Sequence, residues 1–264
     1  MTETHEGQRV VITGATGVFG EWISAAFARG GAELLLTDGR AEPLEQLASR
    51  LAAQGAQVHT QPADLTSPAD IEALTARCGE LWGSPDALVN NAGIYPRGWL
   101  LDMTREHFQH ILDVNLLAPF QLTQAVARQM IDNDVAGSIV NLSSGAAHST
   151  QPGGGPYSTS KAAVAMFTRA CALELAPYGI RVNAVSPGFA PGSEVSQLDE
   201  SHIDAMTTSI PLGRTSGPQD APEAVLFLCS DRASFITSST ITVDGGRTAG
   251  TFNAAKHGRP EERR

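Results

Sequence analysis

Tyr157 and Lys161 stand four residues apart in a helical stretch, so their side chains share one face. An ammonium beside a phenol stabilises the phenolate and draws the tyrosine pKa down from about 10. Such a phenol can take a proton from an alcohol or return one to a carbonyl. Alone, the Tyr-x-x-x-Lys spacing arises often by chance. The same chain also offers a cradle for a group that would complete the chemistry. Gly14-Ala15-Thr16-Gly17-Val18-Phe19-Gly20 joins an apolar run to a helical one. Glycines there let backbone amides approach a pyrophosphate, and the following helix aims its positive end at it. Asp38 closes the second apolar run, 24 positions after Gly14. A carboxylate at that point can accept hydrogen bonds from both adenosine ribose hydroxyls, and it repels a 2′-phosphate. This favours NAD over NADP, while Arg40 keeps NADP open as the alternative.

These residues need elements to hold them. Short β-rich runs are expected at 9–13, 33–37, 57–61, 87–89, 138–142 and 180–185, with a seventh around 241–243. Most are apolar on both faces, as strands inside a parallel sheet are. Helical patterns are expected at 18–29, 42–54, 68–82, 104–131 and 157–176. Ser67-Pro68 reads as an N-cap followed by proline at the first helical position, and Pro119 as a kink in the long helix. Repeated strand–helix–strand units imply a doubly wound α/β fold, a seven-stranded parallel sheet with helices on both faces. No linker divides residues 1–264, so one domain is expected. Residues 187–220 are rich in Gly, Pro and Ser, carry a weak helical pattern near 195–206, and read as a substrate loop. The tail over 251–264 reads as frayed.

The sequence resembles the compact, single-domain branch of the short-chain dehydrogenase/reductase family, a Rossmann-type fold. The resemblance rests on residues spread in the family's order over nearly the whole chain. They are Thr13–Gly20, Asp38, Asp64-Leu65, Asn90-Asn91-Ala92-Gly93, Asn115, Asn141-Leu142-Ser143-Ser144, Tyr157-Ser158-Thr159-Ser160-Lys161, Pro187-Gly188 and Thr242-Val243-Asp244-Gly245-Gly246. It implies a nicotinamide-dependent oxidoreductase in which Tyr157 is the general acid/base and Ser144 holds the substrate oxygen. Lys161 would hold the nicotinamide ribose and acidify Tyr157. Asn115 would position a water linking Lys161 to solvent. The cofactor would lie on Gly14, Thr16, Gly17, Val18, Phe19 and Gly20, with Asp64 and Leu65 near the adenine. Asn91, Ala92 and Gly93 would pass beneath it, and Pro187 and Gly188 would border its nicotinamide. The resemblance also implies a homotetramer.

Two departures stand out. The compact branch reads T-G-x-x-x-G-x-G, whereas Val18 occupies the second glycine's place, with Gly17 one position early. A β-branched residue resists positive φ, so either the turn is remodelled or cofactor binding is weakened. Gly192 stands where the family often has a threonine, with Ser193 beside it.

The substrate pocket is expected among Ile94, Tyr95, Ser144, His148, Phe189 and Met206. That mix is apolar, with no arginine clamp, and favours a neutral, cyclic or aromatic secondary alcohol. The alternative is an NADPH-dependent reductase of carbonyls or 3-oxoacyl thioesters. A catalytically silent nucleotide-binding protein is a further reading, which the full Asn115–Ser144–Tyr157–Lys161 set opposes.

Composition excludes other classes. The chain has 264 residues with 28 acidic against 18 basic, a net charge of −10, which leaves no basic footprint for nucleic acid or an anionic membrane. No apolar run spans a bilayer, and residues 1–9 lack a secretory apolar core. Cys78, Cys171 and Cys229 are too scattered for a disulfide framework or a zinc site, which fits a reducing cytoplasm. His107 and His110 lie three apart with no matching ligands, so no metal is expected.

Overall fold

A computed structural model describes residues 5–192 and 200–252. Seven strands form one parallel sheet in the order β3-β2-β1-β4-β5-β6-β7. They are β1 (Arg9–Thr13), β2 (Glu33–Thr37), β3 (Gln57–Thr60), β4 (Ala87–Asn90), β5 (Ser138–Leu142), β6 (Arg181–Pro187) and β7 (Thr240–Val243). The order reverses between β1 and β4, so the connections leave a crevice at the carboxyl ends of those strands.

Side-chain alternation divides the apolar residues between two cores. Val10 and Ile12 face one, with Leu34 and Leu36 of β2, and Val11 and Leu35 face the other. The first core is closed by α1 (Val18–Arg29), α2 (Ala41–Ala52) and α8 (Ala221–Cys229). The second is closed by α3 (Pro68–Trp82), α5 (Ala118–Asp132) and α6 (Gly155–Leu175). Helices thus cover both faces, as a fully apolar parallel sheet requires. α4 (Arg105–Leu112) and α7 (Glu200–Thr208) complete the set.

Most elements fall where the residue pattern places them. The Ser67 hydroxyl caps α3, accepting from the Asp70 amide at 3.3 Å, with Pro68 in the first turn. The expected helix over 104–131 is divided differently. Its irregularity is a π turn, Asp113–Leu117, rather than a kink at Pro119, which sits in the first turn of α5. Proline cannot donate the amide that an α-helix needs at that place. The ladder widens just before it, and the Ala118 amide bonds the Asp113 carbonyl five residues back. α8 is an addition to the expected elements. Residues 195–199 of the weak helical pattern, Ser193 and the tail over 253–264 lie outside the described residues.

One polar chain runs through the interior. Asn90 ends β4 and pairs in register with Asn141 of β5. The Asn90 amide donates to Asn141 Oδ1 at 2.9 Å and to Thr123 Oγ1 of α5 at 3.2 Å. Asn141 donates to Thr168 Oγ1 of α6 at 2.9 Å. All four residues are buried.

Candidate active site

The glycine turn leaves β1 and enters α1. Gly14 is left-handed, with φ +61°, and a side chain there would press within 2.7 Å of Ala92 Cα. A side chain at Gly20 would collide with the Gly14 carbonyl oxygen. Val18 opens the helix and has no positive φ, so the turn is remodelled without strain at the departing position. Gly17 is the N-cap, and no side chain caps α1. The helix end therefore has no side-chain acceptor on its first amides, the arrangement that suits a pyrophosphate, and Glu21 in the first turn is paired with Arg50 at 3.2 Å.

Neighbouring segments lock the turn. The Thr13 hydroxyl accepts from the Asn91 and Ala92 amides at 3.1 and 3.0 Å, and the Asn91 side chain donates to the Thr13 and Gly14 carbonyls, both at 2.9 Å. Asp38 follows β2 and is buried. Its carboxylate accepts from the Thr16 amide at 3.1 Å and from the Arg40 amide at 3.1 Å. The Arg40 guanidinium folds back, with Nε 3.3 Å from Asp38 Oδ1 and Nη2 2.5 Å from Thr16 Oγ1. Asp38 and Arg40 thus stand together at the place expected for the adenosine ribose.

The remaining cofactor candidates divide. Phe19 packs edge-on to Trp22, with ring centroids 5.5 Å apart, and against the first core. The Leu65 side chain lies in the second core, which leaves only its backbone for the crevice. Asp64 is exposed and accepts from the Thr66 amide and hydroxyl at 2.9 and 2.8 Å, which lowers its pKa. Gly188 follows Pro187 and donates to the Val243 carbonyl at 2.7 Å. Gly192 has φ +97° and open space around it.

The four candidate catalytic residues converge beyond the ends of β4 and β5. Ser144 follows β5, and its hydroxyl accepts from the Ala146 amide at 3.2 Å. Tyr157 lies in the first turn of α6, with the Tyr95 ring edge-on at 6.0 Å. Lys161 is only 5% exposed, and its Nζ lies 5.9 Å from the centre of the Tyr157 ring. The ammonium donates to the Leu142 carbonyl at 2.7 Å. Asn115, in the π turn, brackets Ile94. Its Oδ1 accepts from the Ile94 amide and its Nδ2 donates to the Ile94 carbonyl, both at 2.8 Å. Nδ2 also reaches Ser160 Oγ at 3.0 Å. A Cβ at Gly93 would stand 3.4 Å from both Asn115 Oδ1 and Lys161 Nζ, so the segment after β4 lies directly against this pair.

The electrostatics differ from the expectation of an acidified phenol. Desolvation pushes Tyr157 up from its ordinary value, with Tyr95 adding to the rise and the Ser144 side chain opposing it. Burial lowers Lys161 to about 8. The lysine cannot simply acidify the phenol, because its own charge is poorly solvated and is directed at a backbone carbonyl.

Of the residues expected on the substrate side, Tyr95 packs against Tyr157 and Ile94 is held by Asn115, while His148 is exposed, Phe189 is partly buried and Met206 lies on α7. The sequence reading passed over two further residues. Arg247 and Thr248 follow the Gly245-Gly246 turn, and Thr248 Cγ2 would meet a side chain at Gly145 within 2.5 Å. Their signal was available: they stand just past the carboxyl end of a strand in a parallel sheet, where ligands bind. The more than 100 residues between Thr248 and Gly145 hid the contact.

The residues present therefore fit a dinucleotide: an uncapped helix end, a cradle that side chains would fill, and a carboxylate at the end of β2. The family described as enoyl-(acyl carrier protein) reductase matches residues 14–248. The 2,3-dihydro-2,3-dihydroxybenzoate dehydrogenase of Bacillus subtilis is 36% identical over 255 residues, covering 93% of this chain and 97% of that one. The 3-oxoacyl-[acyl-carrier-protein] reductase of Thermotoga maritima is 36% identical over 241 residues, covering 91% and 98%. Among solved structures, a short-chain type dehydrogenase/reductase from Mycobacterium marinum superposes with a TM-score of 0.88 at 34% identity, covering 94% and 98%. A gluconate 5-dehydrogenase from Burkholderia cenocepacia, in complex with NADP and tartrate, gives 0.87 at 30%, also covering 94% and 98%.

Proposed function

The chain belongs to the short-chain dehydrogenase/reductase family, and on that premise we propose that it interconverts a secondary alcohol and a ketone with NAD(H). The convergence of Ser144, Tyr157 and Lys161 beyond β5, facing a bare glycine cradle, carries this reading. A bound nicotinamide supplies the hydride acceptor for oxidation or the donor for reduction. The protein supplies orientation and proton handling. Ser144 donates to the substrate oxygen and fixes it near Tyr157. The Tyr157 hydroxyl gives its proton to a ketone oxygen, or as phenolate takes one from an alcohol. Lys161 holds positive charge beneath the phenol. Asn115 is a positioning residue: it clamps Ile94 and with it the floor of the site.

Asp38 supports NAD(H) as the preferred form, because a 2′-phosphate beside a buried carboxylate is repelled. Arg40, already beside Thr16 and Asp38, supports the second reading, an NADPH-dependent reductase of carbonyl or 3-oxoacyl compounds. Fluorescence titration of both cofactors separates the two. The expected result is NAD(H) binding at least about tenfold tighter than NADP(H), with Asp38→Asn narrowing the gap by about tenfold. A wild-type preference for NADP(H) would replace the first reading with the second.

We further propose a homotetramer in the cytoplasm. Leu117 and Phe120 at one side of α5, and Met166 and Leu173 one heptad apart on α6, expose 43%, 44%, 62% and 77% of their surface. Phe120 and Phe167 join the two helices edge-on at 6.2 Å. An apolar face of that size on adjoining helices suits a second copy. Sedimentation of the purified chain as a tetramer is expected, and Leu173→Glu should dissociate it; a monomeric wild type would remove the proposal. Cys78 and Cys229 are buried thiols, with Cys78 pushed up to about 12, which suits a reducing compartment. Among the described residues no helix is long and apolar enough to cross a membrane.

A further inference from the structure

β7 ends at Val243, and the turn after it folds back over the substrate side. A side chain at Gly188 would press within 2.8 Å of Asp244 Cα, and one at Gly245 within 2.6 Å of Ile210, just past α7. Thr248 covers Gly145, the neighbour of Ser144. The turn is thus wedged among the three segments that bound the mouth of the site, and Arg247 stands within it.

Arg247 is partly buried, and burial lowers its pKa, the mark of a charge solvated less well than in water. Among the described residues its side chain makes one hydrogen bond, from Nη2 to Met206 Sδ at 3.3 Å. A thioether is a weak acceptor for a guanidinium that carries five N–H donors. Other arginines with burial or order have strong partners. Arg9 is held by Asp86, Arg214 by both oxygens of Asp220, and Arg181 by the Leu228 and Ser230 carbonyls. Asp244 lies near and its charge favours that of Arg247. Its oxygens, however, are occupied by the Gly246 and Thr248 amides and the Thr248 hydroxyl. A cation brought to the mouth and left with a soft acceptor is a site awaiting an anion.

We propose that Arg247 receives a carboxylate carried by the substrate, so that the enzyme acts on a hydroxy acid and its oxo acid. This rests on the oxidoreductase reading and replaces the expectation of a neutral alcohol. One planar fork matches the two oxygens of a carboxylate. A phosphate dianion would meet a single cation with Asp244 close behind it. Binding would swing the guanidinium from Met206, so α7 would register the arrival of the acid.

The test is calorimetric titration of the protein saturated with NAD⁺. The probes are 3-hydroxybutyrate and 3-hydroxycyclohexane-1-carboxylate, each against its methyl ester, which keeps the hydroxyl and removes the charge. At least one acid is expected to bind about 10–100-fold tighter than its ester, the range of a charge-assisted pair. Arg247→Gln should close that gap and leave NAD⁺ affinity unchanged, and Arg247→Lys should restore part of it. Equal binding of acid and ester, no binding of either acid, or an undiminished gap in Arg247→Gln would each overturn the proposal. Failure of NAD⁺ to bind would instead overturn the oxidoreductase reading. The acid–ester comparison on the chain without NAD⁺ would then still decide the role of Arg247.

Discussion

Replacing Tyr157 with Phe is expected to lower kcat by about a thousandfold, within the range that a positioned acid or base contributes. The ring stays, so its edge contact with Tyr95 and the packing of α6 persist. Only the group that moves the proton is lost. NAD(H) affinity by fluorescence titration should therefore stay within a few-fold of wild type. Turnover within about tenfold of wild type would remove Tyr157 from the mechanism, since a loss that small is below what general acid–base catalysis supplies. A collapse of cofactor binding together with turnover would mark the hydroxyl as a binding group instead.

The second large effect concerns Lys161. Its pKa is lowered to about 8 by burial, whereas that of Tyr157 is raised. Alcohol oxidation needs phenolate and ammonium together. Below about 8 the lysine is charged, and each pH unit supplies about ten times more phenolate, so kcat/KM rises. Above that value the charged lysine is lost as fast as phenolate is gained, and the profile flattens. Ketone reduction needs phenol and ammonium, so it stays level up to the same break and then falls. Lys161→Met should cut kcat/KM by about 10²–10³ and abolish the break. A break that survives in the variant would assign it to another group.

The same lysine has a stability signature. Its folded pKa lies below the ordinary 10.5, so the unfolded chain holds the extra proton between the two values. Wild-type stability therefore gains as pH rises from about 8 toward 10.5, whereas Lys161→Met lacks that gain. Urea unfolding of both proteins at pH 7 and at pH 10 should show wild type gaining on the variant by most of about 3 kcal/mol. A pH-independent difference would mean that the ammonium is not desolvated in the folded protein.

Much of this site was legible because its residues stand at strand ends, and the strands announce themselves. β1, β2 and β5 are apolar runs with turn residues after them, and they form where that pattern puts them. α8 was not legible. Val225, Leu226, Leu228 and Cys229 are all buried, so the helix is apolar nearly all round and shows no helical stripe. The concern over Val18 came from reading a spacing without its backbone. Gly14 alone takes the left-handed bend, and position 18 is already helical. The place of Arg247 just past β7 could be read from the chain, but that its side chain has only a weak acceptor, Met206 Sδ, can be seen only once the chain is folded.

The buried asparagine chain has a consequence for how the site is assembled. β4 and β5 are buried on both faces, so hydrophobicity cannot tell one alignment of these strands from the next. Asn90 and Asn141 can. A slip of one residue would set Asn90 against Val140 or Leu142 and strand an amide in the core, at about 1–3 kcal/mol for each unpaired group. The pair works as a vernier: it sets the height at which each strand ends. Asn91-Ala92-Gly93 begins one residue beyond the first asparagine, and Ser144 lies three beyond the second. The depth of the catalytic floor relative to the tyrosine is thus fixed by two amides that never touch substrate.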